Sequence, residues 1–345
     1  MGLNIRDIIP RKELNLNSLR EKIICVDAYN ILYQFLSTIR QPDGIPLKDS
    51  EDRITSHLSG IFYRNINLIL EGMKLVYVFD GKPPELKKNV HKIREGNRDV
   101  AKEKYEKAKK SEDFLLMRRY GAQIIRLDNE MVKESKELLQ AMGICVVQAP
   151  SEGESEAAYL ANKNNAYAVA SQDYDSLLFG AKKLIQNLTL AKKRKTISGF
   201  IEVKPEVIEL ERVLNYLEID LDQLICLGIL VGTDYNPKGI PGVGQKKALQ
   251  IVKKYKQPVL IFDSVKDEIE KMPEEFHFDW KEIFELFHKP NVVDAEFKFE
   301  KVNEEKIKEI LIERHDFSEQ RVEKQLEKLR KFKEESKQKG LGDWV

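Results

Sequence analysis

The 345-residue sequence predicts an α/β fold, with a central, mainly parallel, twisted sheet flanked by helices. Three observations carry this. Short apolar, β-branched runs each lead into an acid: Ile23-Ile24-Cys25-Val26 before Asp27, Leu75-Val76-Tyr77-Val78-Phe79 before Asp80, and Tyr167-Ala168-Val169-Ala170 ahead of Asp173. Continuous apolar runs of this length read as strands buried on both faces. Helical patterns lie between them, as at 53–71 with Ile54, Leu58, Ile61, Phe62, Ile66 and Ile69. Strand and helix in alternation imply a parallel sheet. Ligands of such sheets bind beyond the carboxyl ends of the strands, where Asp27, Asp80 and Asp173 fall.

Composition bounds the rest. The 42% hydrophobic content is enough for a core and excludes a disordered tail. The 58 Lys and Arg against 57 Asp and Glu leave a net charge of +1. The balance is regional: 82–119 holds 13 basic and 7 acidic residues, 182–195 holds six basic and no acidic, and 238–256 six Lys and no acid. Against these, 263–335 holds 22 acids and 15 bases. Three basic segments in one chain favour a polyanionic partner. The residues of 82–119 are helical in pattern but poor in large apolar side chains, so they contact the core little. Cys25, Cys145 and Cys226 sit in apolar runs and read as buried, reduced thiols. The N-terminus lacks a signal-peptide core, and the apolar run at 224–232 is too short to span a bilayer. A soluble intracellular protein is expected; abundant Lys and Glu add a weak thermophile signature.

Seven carboxylates stand out: Asp27 and Asp80 after strands, Glu152 and Glu154 in Ala149-Pro150-Ser151-Glu152-Gly153-Glu154, Asp173 and Asp175 in Ser171-Gln172-Asp173-Tyr174-Asp175, and Asp234 at the end of Leu230-Val231-Gly232-Thr233-Asp234. Carboxylate oxygens suit Mg²⁺ or Mn²⁺, whereas zinc prefers His or Cys. Two such ions can clamp the attacking and leaving oxygens of a phosphodiester displacement. Each acid alone has a structural reading: Ser151-x-x-Glu154 fits a helix capping box, Glu152 suits a helix's first turn, and Asp173 with Asp175 fits a turn before a helix. Acids after several buried strands, taken as a set, point to a metal site.

The run Gly239-Ile240-Pro241-Gly242-Val243-Gly244-Gln245-Lys246-Lys247 joins two helical stretches. It is not a Walker A loop, because Gln245 stands where Lys is required. A Gly-rich turn at a helix N-terminus can grip a DNA phosphate without reading sequence. A plain turn on a solvated basic face is the competing reading. A second basic run, Lys192-Lys193-Arg194-Lys195, lies in an expected loop.

Taken together these motifs resemble the flap endonucleases of the XPG/Rad2 nuclease family, of archaeal type. The resemblance covers essentially the whole chain. It rests on Met1-Gly2-Leu3, Val26-Asp27-Ala28, Val76 to Pro84, the Ala149–Glu156 run, Gln172-Asp173-Tyr174-Asp175-Ser176-Leu177-Leu178-Phe179-Gly180, and Gly232-Thr233-Asp234-Tyr235-Asn236 with the Gly-rich hairpin.

The resemblance implies a 5′-nuclease fold with a helical arch and a helix-two-turn-helix element. It implies two Mg²⁺, with Mn²⁺ able to substitute: Asp27, Asp80, Glu152 and Glu154 chiefly serve one, and Asp173, Asp175 and Asp234 the other. Lys87 and Arg94 match a basic pair that steers the scissile phosphate. Tyr33 matches an aromatic on which a base stacks, with a half-buried helix residue as the other reading. Arg40 and Arg64 match DNA-contacting arginines, and Gly232 a close backbone approach. Gly242, Gly244, Lys246 and Lys247 fall in the DNA-binding hairpin, where K⁺ is expected around 232–244. Gly2 resembles a processed N-terminus. The tail Gln338-x-x-Leu341-x-x-Trp344-Val345 resembles a motif that docks on the sliding clamp PCNA, with Val345 in place of a second aromatic.

The resulting expectation is a monomeric, structure-specific 5′ flap endonuclease with 5′–3′ exonuclease activity, cytoplasmic and nucleoid-associated, acting on branched DNA in Okazaki fragment maturation and repair. Its regions are 1–99 (N-terminal nuclease), 100–116 (part of the arch), 117–261 (internal nuclease with the hairpin), 262–337 (C-terminal helices) and 338–345 (clamp-binding tail). A junction resolvase of the same family and a non-catalytic clamp-binding scaffold are the alternatives. The long arch and the tail argue against the first, and the complete acid set against the second.

Overall fold

The computed structural model describes residues 3–41, 44–124, 126–189, 193–196 and 199–342. Met1, Gly2, Lys192, Trp344 and Val345 lie outside these, as do the side chains of Arg94, Gln338 and Leu341.

The strands are β1 (Lys12–Glu13), β2 (Ile23–Asp27), β3 (Lys74–Phe79), β4 (Cys145–Gln148), β5 (Ala168–Ala170), β6 (Lys183–Gln186), β7 (Lys193–Thr196), β8 (Gly199–Glu202) and β9 (Glu206–Glu209). Among the described residues, seven of them form one sheet in the order β1-β9-β6-β5-β2-β3-β4. The run from β6 to β4 is parallel, while β9 and β1 join antiparallel at the edge. The strands β7 and β8 pair separately as a hairpin, so the basic run expected in a loop instead lies partly on strand β7. The three strands read from the sequence are the sheet's centre. The strands β6 and β9 escape that reading because Lys183, Gln186, Glu206 and Glu209 break their apolar runs.

Register does the work of assembly. Asp27 lies opposite Val78, Val26 opposite Ala170, and Phe79 opposite Gln148. Four adjacent parallel strands therefore end at one level, and whatever follows each of them meets there.

The helices are α1 (Ala28–Thr38), α2 (Ser56–Leu70), α3 (Lys88–Lys110), α4 (Phe114–Ile124), α5 (Asn129–Ala141), α6 (Gly153–Lys163), α7 (Asp175–Leu178), α8 (Leu210–Leu217), α9 (Leu221–Val231), α10 (Gln245–Tyr255), α11 (Pro258–Asp263), α12 (Lys266–Glu270), α13 (Trp280–His288), α14 (Glu304–Lys308) and α15 (Glu319–Gly342). Successive strand residues face opposite ways. Ile24 and Val26 join a core with α1, α2, α5 and α15, while Cys25, Val76 and Val78 pack under Ala157, Ala158 and Leu160 of α6. A third core gathers α8–α11 and α13 beside the sheet. All three cysteines are buried and unbridged.

The helices α3 and α4 pack on each other as a hairpin that stands off the sheet. Few of its described side chains are buried (Val90, Ala101, Ala108 and Met117), and Val100, Phe114 and Leu115 are exposed. The boundaries at 99/100 and 116/117 fall inside these two helices. Among the described residues, no helix is long and apolar enough to cross a membrane.

Candidate active site

The acids converge because the strands that carry them end together. Asp27 closes β2 and is the N-cap of α1, its Oδ1 accepting from the Asn30 amide at 3.1 Å. Its Oδ2 accepts from the Ser171 hydroxyl, 3.2 Å away and one residue past β5. Asp80 follows β3, and its Oδ1 accepts the Gly153 amide at 2.7 Å. Residue 153 must be glycine here, since a Cβ would lie 2.7 Å from Asp80 Oδ1 and 2.9 Å from Val78 O.

Glu152 is the N-cap residue of α6, but its own side chain makes no capping bond; Asp80 takes the first amide instead. The capping box suggested by Ser151-x-x-Glu154 does not form. Glu154 points instead to α7, where its Oε1 accepts from the Ser176 amide at 2.9 Å and hydroxyl at 2.7 Å. Asp173 precedes α7 and Asp175 is that helix's first residue, and both also complete the cluster. Ligand oxygens of Asp173, Asp175 and Asp234 all lie within 4.8 Å of one another. The Leu3 amide donates to Asp175 Oδ1 at 3.2 Å, which ties the N-terminal segment to the site.

Lys87, last residue of the short 3₁₀ turn Glu85–Lys87, drives its ammonium into this cluster. It pairs with Glu152, lies 3.4 Å from Asp234 Oδ2 and sits 5.1 Å from the centre of the Tyr235 ring. Burial opposes the Lys87 charge, yet Glu152 and Asp234 more than offset this and push its pKa up. The acids show the converse. Burial and then Asp80 push Asp27 up to about 7. Burial, Asp173 and Asp175 hold Glu154 well above the usual carboxylate range, and burial, Asp173 and Asp234 do the same to Asp175. Asp80 and Glu152 are raised by burial, with Lys87 pulling both back. So many buried anions gain most from a cationic counter-charge.

The other expected residues surround this centre. Tyr33 is 36% exposed on α1. Arg64 is half-buried on α2, where burial lowers its pKa. Arg40 reaches three backbone carbonyls. Gly232 has φ +115°, and a Cβ there would lie 3.0 Å from the Gly239 amide nitrogen. The turn is locked by Asn236, whose Oδ1 accepts from the Thr233 amide and hydroxyl while its Nδ2 donates to Ile229 O. Gly242 and Gly244 have open space beside their Cα atoms, and Gly244 is the N-cap of α10. Lys246 and Lys247 are exposed on that helix's first turn.

Sequence reasoning missed Ser171, Ser176 and Gly153, which hold acids in place, and Tyr235, which backs Lys87. Each adjoins or closely neighbours a predicted acid, but nothing in a sequence tells which neighbour turns inward.

Comparison with known proteins places these features in context. Residues 4–101 match the XPG N-terminal domain and residues 143–234 the XPG I-region. The chain is 48% identical to flap endonuclease 1 of Hyperthermus butylicus, over 100% of this chain and 99% of that protein. It is 49% identical to flap endonuclease 1 of Pyrococcus furiosus with the same coverage. Among solved structures it resembles flap endonuclease-1 from Methanococcus jannaschii at a TM-score of 0.75 and 38% identity, covering 96% of this chain and 98% of that one. The catalytic core of Rad2 in complex with DNA substrate shares the fold at a TM-score of 0.70 and 22% identity, covering 96% of this chain and 100% of that core.

Proposed function

We propose how this chain cuts DNA from one premise: it belongs to the flap endonuclease 1 family of XPG-type nucleases. It is a flap endonuclease, a structure-specific phosphodiester hydrolase, and DNA replication and repair are the family's setting. The substrate is branched DNA with a 5′ flap, cut near the junction of single and double strand to leave a 5′ phosphate and a 3′ hydroxyl.

The observation that supports this most is the acid cluster beneath the strand ends, with Asp173, Asp175 and Asp234 within 4.8 Å of one another. Its seven acids offer oxygen only, a donor set that fits hard divalent cations. Asp27, Asp80, Glu152 and Glu154 would chiefly hold one ion, and Asp173, Asp175 and Asp234 the other. When bound, Mg²⁺ or Mn²⁺ supplies the Lewis acidity that activates water and steadies the leaving oxygen.

The chain's own groups do the rest. Lys87 and Arg94 orient the scissile phosphate and offset the charge that grows on it. Tyr33 offers a face on which a base stacks. Arg64, Lys246, Lys247 and the amides after Gly244 hold backbone phosphates, which fixes position without reading sequence. The turn at 232–244 would take K⁺. The hairpin of α3 and α4 is the arch under which the free strand passes. Gln338, Leu341, Trp344 and Val345 dock on a sliding clamp, and the chain works as a cytoplasmic, nucleoid-associated monomer.

Cleavage of an end-labelled double-flap DNA tests the reading, with a four-way junction as comparison and a sliding clamp added in parallel. Expected are Mg²⁺-dependent incision at the flap base, little on the junction, and clamp stimulation lost in Trp344→Ala. Flap cleavage by Asp173→Ala at near wild-type rate in Mg²⁺ would overturn the metal assignment.

A further inference from the structure

We propose that Arg40 is a positioning residue for the arch: its guanidinium clamps the carboxyl ends of α1 and α4 together and fixes the arch's returning foot before any DNA is bound. Its Nε donates to Leu36 O at 3.1 Å, its Nη1 to Gly44 O at 2.8 Å and its Nη2 to Gly121 O at 3.2 Å. Leu36 lies in the last turn of α1 and Gly121 in the last turn of α4. Carbonyls in a helix's last turn have no partner within the helix. A cation set between two such ends also meets the negative poles of both helix dipoles.

The residue types fit this task. Three separate carbonyls need donors spread in a plane, which a guanidinium provides and an ammonium does not. Gly121 makes its carbonyl reachable. A Cβ at 121 would stand 3.3 Å from Arg40 Nη1 and 3.4 Å from Cε2 of Tyr105, so Tyr105 on α3 closes the other side of the same contact. Leu36 and Gly44 each lie four residues from Arg40, so two of the bonds fix the arginine locally and the third, to Gly121, reaches the arch 81 residues away.

The leverage comes from the arch's thin core. With few buried side chains, the α3–α4 hairpin depends on how its feet are held. The leading foot is held by Lys87 among the acids. The returning foot is held by Arg40. An arginine acting only on a DNA phosphate would leave the DNA-free arch untouched, and this separates the two roles. The inference concerns the fold, and it stands whether or not the arch receives a single strand.

Hydrogen exchange on the DNA-free, full-length chain tests it, with wild type compared to Arg40→Ala, Arg40→Lys and Gly121→Ala. Expected is at least ~10-fold faster exchange of the 114–124 amides in Arg40→Ala, corresponding to loss of a charge-assisted clamp. Lysine should restore only part of the protection. Gly121→Ala, which keeps Arg40, should loosen the same segment, while the α2 amides stay at wild-type protection in every variant. Unchanged exchange at 114–124 in Arg40→Ala would overturn the proposal. So would loosening spread equally over α2 and the sheet, which reports general destabilisation. Should Arg40→Ala fail to fold, Gly121→Ala decides alone by the same criterion.

Discussion

Ser176 donates twice to one oxygen of Glu154, from its amide at 2.9 Å and its hydroxyl at 2.7 Å. The bond joins α6 to α7, and so joins the acids assigned to one metal ion to those assigned to the other. Ser176 is fully buried, so its own donors have no water to bond in place of Glu154. Residues that orient a ligand typically alter metal affinity ~10-fold or more when removed. Ser176→Ala is therefore expected to weaken Mg²⁺ binding by about 10-fold, read by calorimetry on the DNA-free protein. Cleavage at saturating Mg²⁺ should stay close to wild type. Unchanged Mg²⁺ affinity would show that Glu154 is held well enough without the hydroxyl.

Gly153 is a second dependency. Its amide holds Asp80, and a methyl group at 153 has no room between Asp80 Oδ1 and Val78 O. Overpacking in such a place costs about 1–3 kcal/mol. Displacing Asp80 by about 1 Å costs about 100-fold in rate. Gly153→Ala should show both, in a denaturant melt and in single-turnover cleavage. Wild-type cleavage by the alanine variant would mean that α6 can shift without moving Asp80.

The acid cluster opposes the fold's stability unless it is neutralised. Asp175 is fully buried and raised well above the carboxylate range by burial and by Asp173 and Asp234. Asp175→Asn keeps an oxygen for the Leu3 amide but removes one charge. In chelator at neutral pH, its melting temperature should rise by about 2–4 °C per kcal/mol of repulsion relieved. Added Mg²⁺ should raise wild type more than this variant, and cleavage should be lost. A lower melting temperature in chelator would show that repulsion is not what Asp175 contributes.

Far from this centre, His315 bridges Asp49 through Nδ1 and Glu134 through Nε2, each at 2.8 Å. Burial opposes the ionised form of Asp49, but bonds from His315 and Arg53 pull it down to about 2 from an ordinary 3.8. Burial opposes the imidazolium of His315 too, yet Glu134 and Asp49 raise its pKa above the ordinary 6.5. His57 packs nearby, pushed down to about 4 by burial, and stays neutral. The lowered Asp49 contributes stability above pH 3.8, lost as pH falls through 2. The raised His315 contributes below pH 6.5, lost as pH rises through its folded value. His315→Gln should therefore cost most stability below pH 6.5 and progressively less as pH rises through the folded value of His315, measured by urea melts across pH. A cost that does not vary with pH would mean that the ring binds as neutral imidazole.

Much of this was legible in the chain itself. Ile23–Val26, Leu75–Phe79 and Tyr167–Ala170 declared the central strands because a strand buried on both faces has no polar side to interrupt it. Asp27, Asp80 and Asp173 followed from the rule that ligands meet the carboxyl ends of parallel strands. Where strands carry charge, as Lys183 and Glu206 do at the sheet's antiparallel side, the apolar signal fails and pairing alone defines them.

Only the folded chain decided which way the side chains turn. Ser151-x-x-Glu154 is a capping pattern locally, yet Glu154 bonds to Ser176, 22 residues away, because α7 brings two donors that outcompete a helix end. Arg40 shows the same division. Its sequence position says that a cation stands after α1, and its three carbonyls, one of them 81 residues distant, say what that cation holds. Local periodicity and composition set the elements and the inventory of acids. Contacts across long loops depend on register and packing, which no local pattern encodes, and these set the geometry of the site.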